Sequence, residues 1–347
     1  MVDSMSSATM VLAIVGSTMK HTLSRRAALL LFAVVVVMWG SNWAITKTLV
    51  QSVSPLWTVA IRSAIATLAL LVLLLARGQL VRPRRGDIPV ILTVALLHMG
   101  GFSALVAFGL QFVPVGRSIV LGYTTPLWVA PGAWLFLGEP ATRSRLAGIV
   151  LGLAGLAIMF SPLAFDWDDK NALVGNGLIL LAALCWAANI LYVRAHRWIS
   201  TPFQMVFWQA LFATLVLSAL ALSIDGAPQA YWSPGLAGAF LYAGICGTAL
   251  AHWAMVVVNR SLPAVTTSLG LLATPVVGVA TSAIFLGETI GNSLIIAMTM
   301  ILAGIAIGTI PRGTVRAISL PAAATTGSNR HCRRFSVRRW CRGRITG

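Results

Sequence analysis

Charge is what this 347-residue chain has least of: 10% of its residues are Asp, Glu, Lys or Arg, against about 25% in soluble domains. Acids are scarcer still, eight in all. This excludes a soluble globular domain, whose outer elements need polar residues that are missing here. It also weighs against a membrane-embedded enzyme acting on lipid, because such chemistry gathers Asp, Glu, His or Cys at one depth. Cysteines number four. Cys185 and Cys246 fall inside apolar runs as small packing residues, and Cys332 and Cys341 lie near the C-terminus, so no spacing implies a disulfide framework or a metal site. No Gly-Lys-Ser/Thr phosphate loop occurs, so ATP is not expected as the driving force and no cofactor is expected.

Apolar residues are what the chain has in quantity: 58% is hydrophobic and the mean hydropathy is +0.88. Runs of the length needed to cross roughly 30 Å of hydrocarbon recur along it. They predict ten helical spans, over 27–46, 56–76, 88–110, 114–137, 144–162, 174–193, 202–223, 236–258, 263–286 and 292–310. The runs lack strand alternation, and in lipid every backbone polar group must be satisfied within the segment, so they are read as helices. The fold class expected is all-α and integral to the membrane.

The net charge of +17 would suit nucleic acid, but its distribution points to membrane lipids. Nine of the 25 basic residues follow Ile310, in a segment 311–347 expected to be a disordered basic cytoplasmic tail or the product of a shifted reading frame. Lys20, Arg25 and Arg26 sit in an N-terminal cytoplasmic segment, 1–26, ahead of an uncleaved first span. With the N-terminus inside, 21 of the 25 basic residues face the cytoplasm, whereas Asp166, Asp168, Asp169 and Asp225 face outward. Both termini are therefore expected inside.

The chain also spells one stretch twice. TTPLWVAPGAWLFLGE at 124–139 returns as ATPVVGVATSAIFLGE at 273–288. The offset of 149 pairs Pro126 with Pro275, Gly138 with Gly287 and Glu139 with Glu288, and extends to Pro114 with Pro263 and Gly155 with Gly304. Earlier in each copy, at an offset of 147, Trp39 and Asn42 match Trp186 and Asn189. Ten spans are five plus five, a first repeat over 27–162 and a second over 174–310. Five is odd, so the second repeat enters the membrane from the opposite side, the inverted architecture of many secondary transporters.

These features together resemble the EamA family of the drug/metabolite transporter superfamily: the Trp-Gly-Ser-Asn-Trp start at 39–43, Arg62 in the second span, and the Pro-to-Leu-Gly-Glu segments closing spans four and nine, all in two halves of five. The resemblance covers about 27–310. It implies ten helices, cytoplasmic termini, a bacterial inner membrane, and movement of small metabolites, often export of amino acids or related compounds.

Candidate site residues follow from depth. Arg62 lies seven residues past Pro55, roughly 10 Å into its span, with no Asp or Glu deep in any span. Its partner is backbone, a ring or a substrate carboxylate, unless it snorkels to the interface. Arg117, three residues into its span, is expected to snorkel. Trp39, Asn42, Trp186 and Asn189 present a ring and an amide one turn apart, as helix glue or as substrate contacts. His98 and His252 are the histidines inside spans, and His98, Phe102, Tyr123 and Trp253 join the candidate substrate contacts. Pro126 and Pro275, counted twelve residues into their spans, are expected to free a backbone carbonyl near mid-membrane as hinges. Glu139 and Glu288 are expected to gate or cap where their spans end. Gly148-x-x-x-Gly152 and Gly304-x-x-x-Gly308 suit close helix contact, within one chain or in a homodimer. The reading is a secondary transporter working by alternating access on a small-molecule substrate, probed against two others: a scaffold or sensor that transports nothing, and a lipid-modifying enzyme.

Overall fold

The computed structural model describes residues 23–162, 165–196 and 199–309. Residues 1–22 of the N-terminal segment and the basic tail 311–347, with the expectations attached to them, lie outside the described residues, and Arg25 and Arg26 open the first helix. Among the described residues the helical rods are, in order, α1 (Arg25–Ser52), α2 (Pro55–Ala76), α3 (Arg85–Phe112), α4 (Val115–Gly122 and Thr125–Leu137), α5 (Arg143–Met159), α6 (Lys170–Ala195), α7 (Pro202–Asp225), α8 (Pro234–Ser261), α9 (Ala264–Gly270 and Ala273–Leu286) and α10 (Asn292–Thr309). Among the described residues, nine are long and apolar enough to cross a membrane. The exception is α5, whose 17 residues span about 26 Å at roughly 1.5 Å each.

Local chemistry sets the ends of these helices. Ser24, Thr142 and Ser233 each accept a hydrogen bond from a first-turn N–H, Asp169 accepts two, and Thr201 with Gln204 forms a reciprocal capping box. Proline opens α2, α7 and α8, where its missing N–H has no intrahelical partner to lose. Gly138 and Gly287 close α4 and α9 in the left-handed conformation, at φ 67° and 66°, which glycine adopts without steric cost.

The outer surface is apolar. Phe136 is 78% exposed and its repeat partner Phe285 75%, so the duplicated phenylalanine faces lipid rather than a protein core. The interior relies on small residues at helix crossings. A methyl group added to Gly148 would run into Gly304 O and Gly308, and one added to Gly304 would run into Gly148 O and Gly152. The two small-x-x-x-small stripes therefore pack α5 against α10 inside one chain.

Three features stand out against the sequence reading. Pro126 and Pro275 do not interrupt continuous helices: α4 and α9 each break into two segments, at 123–124 and 271–272, and each proline sits in the first turn of the second segment. There it removes no hydrogen bond, because first-turn N–H groups have no intrahelical acceptor. The proline inside a helical segment is Pro131. Second, α3 and α8 each widen into π-helix at matching places, Val94–Phe102 and Tyr242–Leu250. Third, Arg117, expected to snorkel, is held by protein groups. Its Nε donates to Asn176 Oδ1 at 2.7 Å, its Nη2 donates to Met159 O, and the guanidinium stacks over Phe165 and Phe160 at 4.8 and 5.2 Å. Polar and aromatic partners within reach replace the need for water.

Candidate functional site

The two π-helical segments face each other across a cavity of 330 Å³, at the small end of ligand pockets. α3 supplies His98, Met99, Phe102 and Ser103; α8 supplies Gly247, Thr248 and His252. A π turn fits an extra residue into the same rise and redirects the side chains around it, a distortion frequent at functional sites. Gly247 is required for the closure of α1 on α8, since any side chain there would overlap the Asn42 amide.

Seven of the nine expected contacts line this cavity: Trp39, Asn42, Arg62, His98, Phe102, Tyr123 and Trp186. Two do not. Trp253 is buried against Leu70, Phe203 and Phe207, under the Arg77 guanidinium at 5.5 Å. Asn189 is 6% exposed within α6, and its Oδ1 has no hydrogen-bond partner among the described residues. His252, weighed in the sequence for its depth, is in the wall. Trp43, Ser63, Met99, Ser103, Gly247 and Thr248 are lining residues the sequence did not single out, because small and apolar side chains in a span look alike whether they pack or line.

Seven of the sixteen lining residues carry rings. His98 stacks on Trp186 with centroids 5.3 Å apart and planes at 17°, Phe102 lies 5.2 Å and Tyr123 6.0 Å from the same indole, and Trp39 meets His252 edge-on at 5.6 Å. His252 Nδ1 lies 2.7 Å from Thr248 O. A carbonyl only accepts, so Nδ1 carries the proton in that bond.

The charge in the cavity is Arg62. It does not snorkel; Nη1 donates to Thr46 Oγ1 across 3.5 Å, at the limit of a hydrogen bond. Among the described lining residues there is no Asp or Glu. Asn42 Oδ1, by contrast, packs against Gly247 and has no hydrogen-bond partner among the described residues. The guanidinium at an apolar cavity forms a demand for a polar ligand, because weakly satisfied buried polar groups cost free energy.

The expected gating residues lie away from the cavity. Glu288 accepts hydrogen bonds from the Val115 and Gly116 N–H groups, at 2.7 and 2.9 Å. Glu139 pairs with Arg145 at 2.9 Å and with Arg194. Pro126, with Glu139, Arg145, Arg194 and Ser268, borders a separate opening of 380 Å³.

Two helical halves with matched breaks and matched π segments, apolar outside and lined inside by a ring-rich cavity, define a multi-pass membrane protein built of two repeats. The model of the EamA-like transporter family matches residues 26–161 and again 173–309, and the chain belongs to that family. It is 25% identical to the uncharacterized transporter YoaV of Bacillus subtilis (strain 168) over 276 residues, 79% of this chain and 94% of that one. It is 28% identical over 292 residues to a Salmonella typhimurium (strain LT2) protein named "Probable amino-acid metabolite efflux pump", covering 78% of this chain and 91% of that one. A solved crystal structure at 22% identity shares the fold over 82% of this chain and 97% of its own, with a TM-score of 0.57.

Proposed function

We propose that this chain is a secondary transporter that moves small organic metabolites bearing a carboxylate, amino acids or related compounds, across the bacterial inner membrane by alternating access. The observation that carries this reading is Arg62: a cation at cavity depth whose hydrogen-bond partner among the described residues is one hydroxyl at 3.5 Å, in a wall without a carboxylate among the described residues. A substrate carboxylate would complete it with short charge-assisted bonds, and the surrounding rings would hold an apolar or planar body. The Salmonella relative's name supports export as the direction. The distribution of Lys and Arg supports cytoplasmic termini and ten crossings, with Glu139 at the cytoplasmic end and Glu288 at the outer end.

The test is counterflow in liposomes holding the purified full chain, with a panel of labelled amino acids, other carboxylates and uncharged nucleobases. Accumulation of carboxylates, lost in Arg62→Ala, is expected. No flux for any compound would favour a scaffold or sensor, and flux of uncharged compounds unaffected by Arg62→Ala would remove Arg62 from the site.

A further inference from the structure

Glu288 and Glu139 follow the same left-handed glycine, yet each holds a different kind of partner. The Glu288 carboxylate sits on the first turn of α4, on the Val115 and Gly116 N–H groups. Unsatisfied N–H groups and the positive end of the helix both favour an anion there. At this end of the bundle the first segment of α4 packs on the second segment of α9. Glu139 instead holds two cations, Arg145 and Arg194. At its end the second segment of α4 packs on α6, and Pro126, Ala130 and Ala133 border the 380 Å³ opening together with Ser268 of α9.

The register shows what Glu288 lacks. Arg194 lies on α6, and 147 residues earlier, at the matched place on α1, stands Lys47. Lys47 is close enough to Glu288 to feel its charge, but its ammonium donates to Leu110 O and to Val113 O, the latter at 3.2 Å, where α3 ends. Each end of the bundle therefore has the same three parts: a glutamate closing one broken helix, the start of the other broken helix, and a cation on the first helix of the opposite half. One molecule displays the parts in two arrangements, glutamate on helix and glutamate on cation.

We propose that Glu288 and Glu139 are reciprocal latches of the transport cycle. Seated on the first turn of the other half's broken helix, the glutamate holds its end of the bundle shut; moved to the matched cation, it leaves that end open. This structure has the Glu288 end latched and the Glu139 end released. In the opposite-facing state Glu288 takes Lys47, and Glu139 leaves Arg194 for the start of α9. Each carboxylate keeps a partner in both states, so neither state carries an unpaired partly buried charge, and two packings of comparable energy are what a switching element needs. The proposal rests on the reading of the chain as an alternating-access carrier.

The test is double electron–electron resonance on the full chain in lipid nanodiscs, with the four native cysteines replaced by serine. One spin-label pair, Phe112→Cys with Ile290→Cys, spans the Glu288 end; a second, Phe136→Cys with Ser268→Cys, spans the Glu139 end. All four sites are exposed. Glu288→Ala should lengthen the first distance and shorten the second, changing the ratio of the two populations by about tenfold, the worth of a charge-assisted hydrogen bond. Arg194→Ala should shift both distances the same way, because it frees Glu139. Glu139→Ala should keep the distances of this structure and slow flux. Fixed distances in both Glu288→Ala and Arg194→Ala, or a shift toward the present arrangement, would overturn the proposal. Should Glu288→Ala fail to fold, Glu288→Gln, which keeps the shape and loses the charge, gives the same reading with a smaller shift. The distances need no substrate, so exchange without flux on any compound would sink the carrier reading alone, and flux with fixed distances would sink the latch alone.

Discussion

Laid over one another by their registers, the two halves agree in some residues and disagree in others. Pro126 and Pro275, Gly138 and Gly287, Glu139 and Glu288, and Gly155 and Gly304 agree. Arg62 meets Gln209, His98 meets Gly247, Ser103 meets His252, and Tyr123 meets Leu272. The agreeing prolines and glycines sit at breaks, left-handed turns and close helix crossings in both copies, while the two glutamates hold different partners. The disagreeing residues include much of the cavity wall, although the matched Trp39 and Trp186 both line it. Electrostatics enforces part of the difference. Gln209 is 7% exposed, and a second guanidinium there would place two like charges in one dry interior. Duplication thus keeps the frame and leaves the chemistry to the separate halves.

The largest effect is expected where the frame joins the halves. Gly148→Leu drives a side chain into the Gly304 carbonyl and the Gly308 backbone, and backbone cannot yield as a side-chain end can. A loss of about 3 kcal/mol or more is expected, read as failure to give a monodisperse protein or as a large fall in thermal midpoint. Gly177→Leu on α6, where a Cβ meets nothing within 4 Å, should cost far less. Equal losses would show that the α5–α10 crossing is no tighter than an ordinary helix surface.

Next comes the charge. Arg62→Ala should reduce counterflow of carboxylate substrates by roughly 10- to 100-fold, the worth of one or two charge-assisted hydrogen bonds, with Arg62→Lys between. Gln209→Ala, at the matched place in the second half and outside the cavity wall, should change flux by less than about threefold. If both variants lost flux alike, the halves would share the charge-recognition task and the contrast drawn above would fall.

Rings offer a finer contrast. Trp186 touches three rings, His98, Phe102 and Tyr123, whereas Trp39 touches one, His252. At about 0.5–1.5 kcal/mol per aromatic pair, Trp186→Ala should raise the KM for counterflow by about tenfold and Trp39→Ala by about threefold. The reverse order would place the recognition ring on α1.

Much of this was legible in the sequence, for identifiable reasons. Run length and loop charge follow from the bilayer, which acts on every residue alike, so the rods emerge within a few residues of where apolar runs begin and end. The glutamates and glycines of the repeat announce themselves because a chain seldom spells such a segment twice. Arg62, Trp186 and His98 stand out by depth, since a polar or amphipathic group inside a span is costly. The π segments left no comparable mark: Val94–Phe102 and Tyr242–Leu250 have the composition of any apolar helix, and their widening depends on neighbours. Asn189 shows the limit of symmetry as a guide. Its partner Asn42 is in the cavity wall, whereas Asn189 is buried in α6 away from it.

The smallest expected effect on flux bears on the prolines, where counting residues misled. Measured from Pro114, Pro126 falls mid-span and should break a hydrogen bond; in the fold it starts a new segment, where its ring restricts φ and its missing N–H costs nothing. Replacement by alanine loses that restriction, worth about 0.4–1 kcal/mol. The two sites differ in one respect. Pro275 is buried in the protein, while Pro126 is exposed at the edge of the opening near Glu139. Pro275→Ala therefore also deletes ring methylenes from a packed site, at about 0.8 kcal/mol each, so its thermal midpoint should fall further than that of Pro126→Ala, with flux in both within about twofold. A Pro126→Ala loss exceeding that of Pro275→Ala would mean that the first proline does more than open a segment. The break in α4 would then be a hinge that the ring holds in place, and the frame of the two halves would be less alike than their spelling.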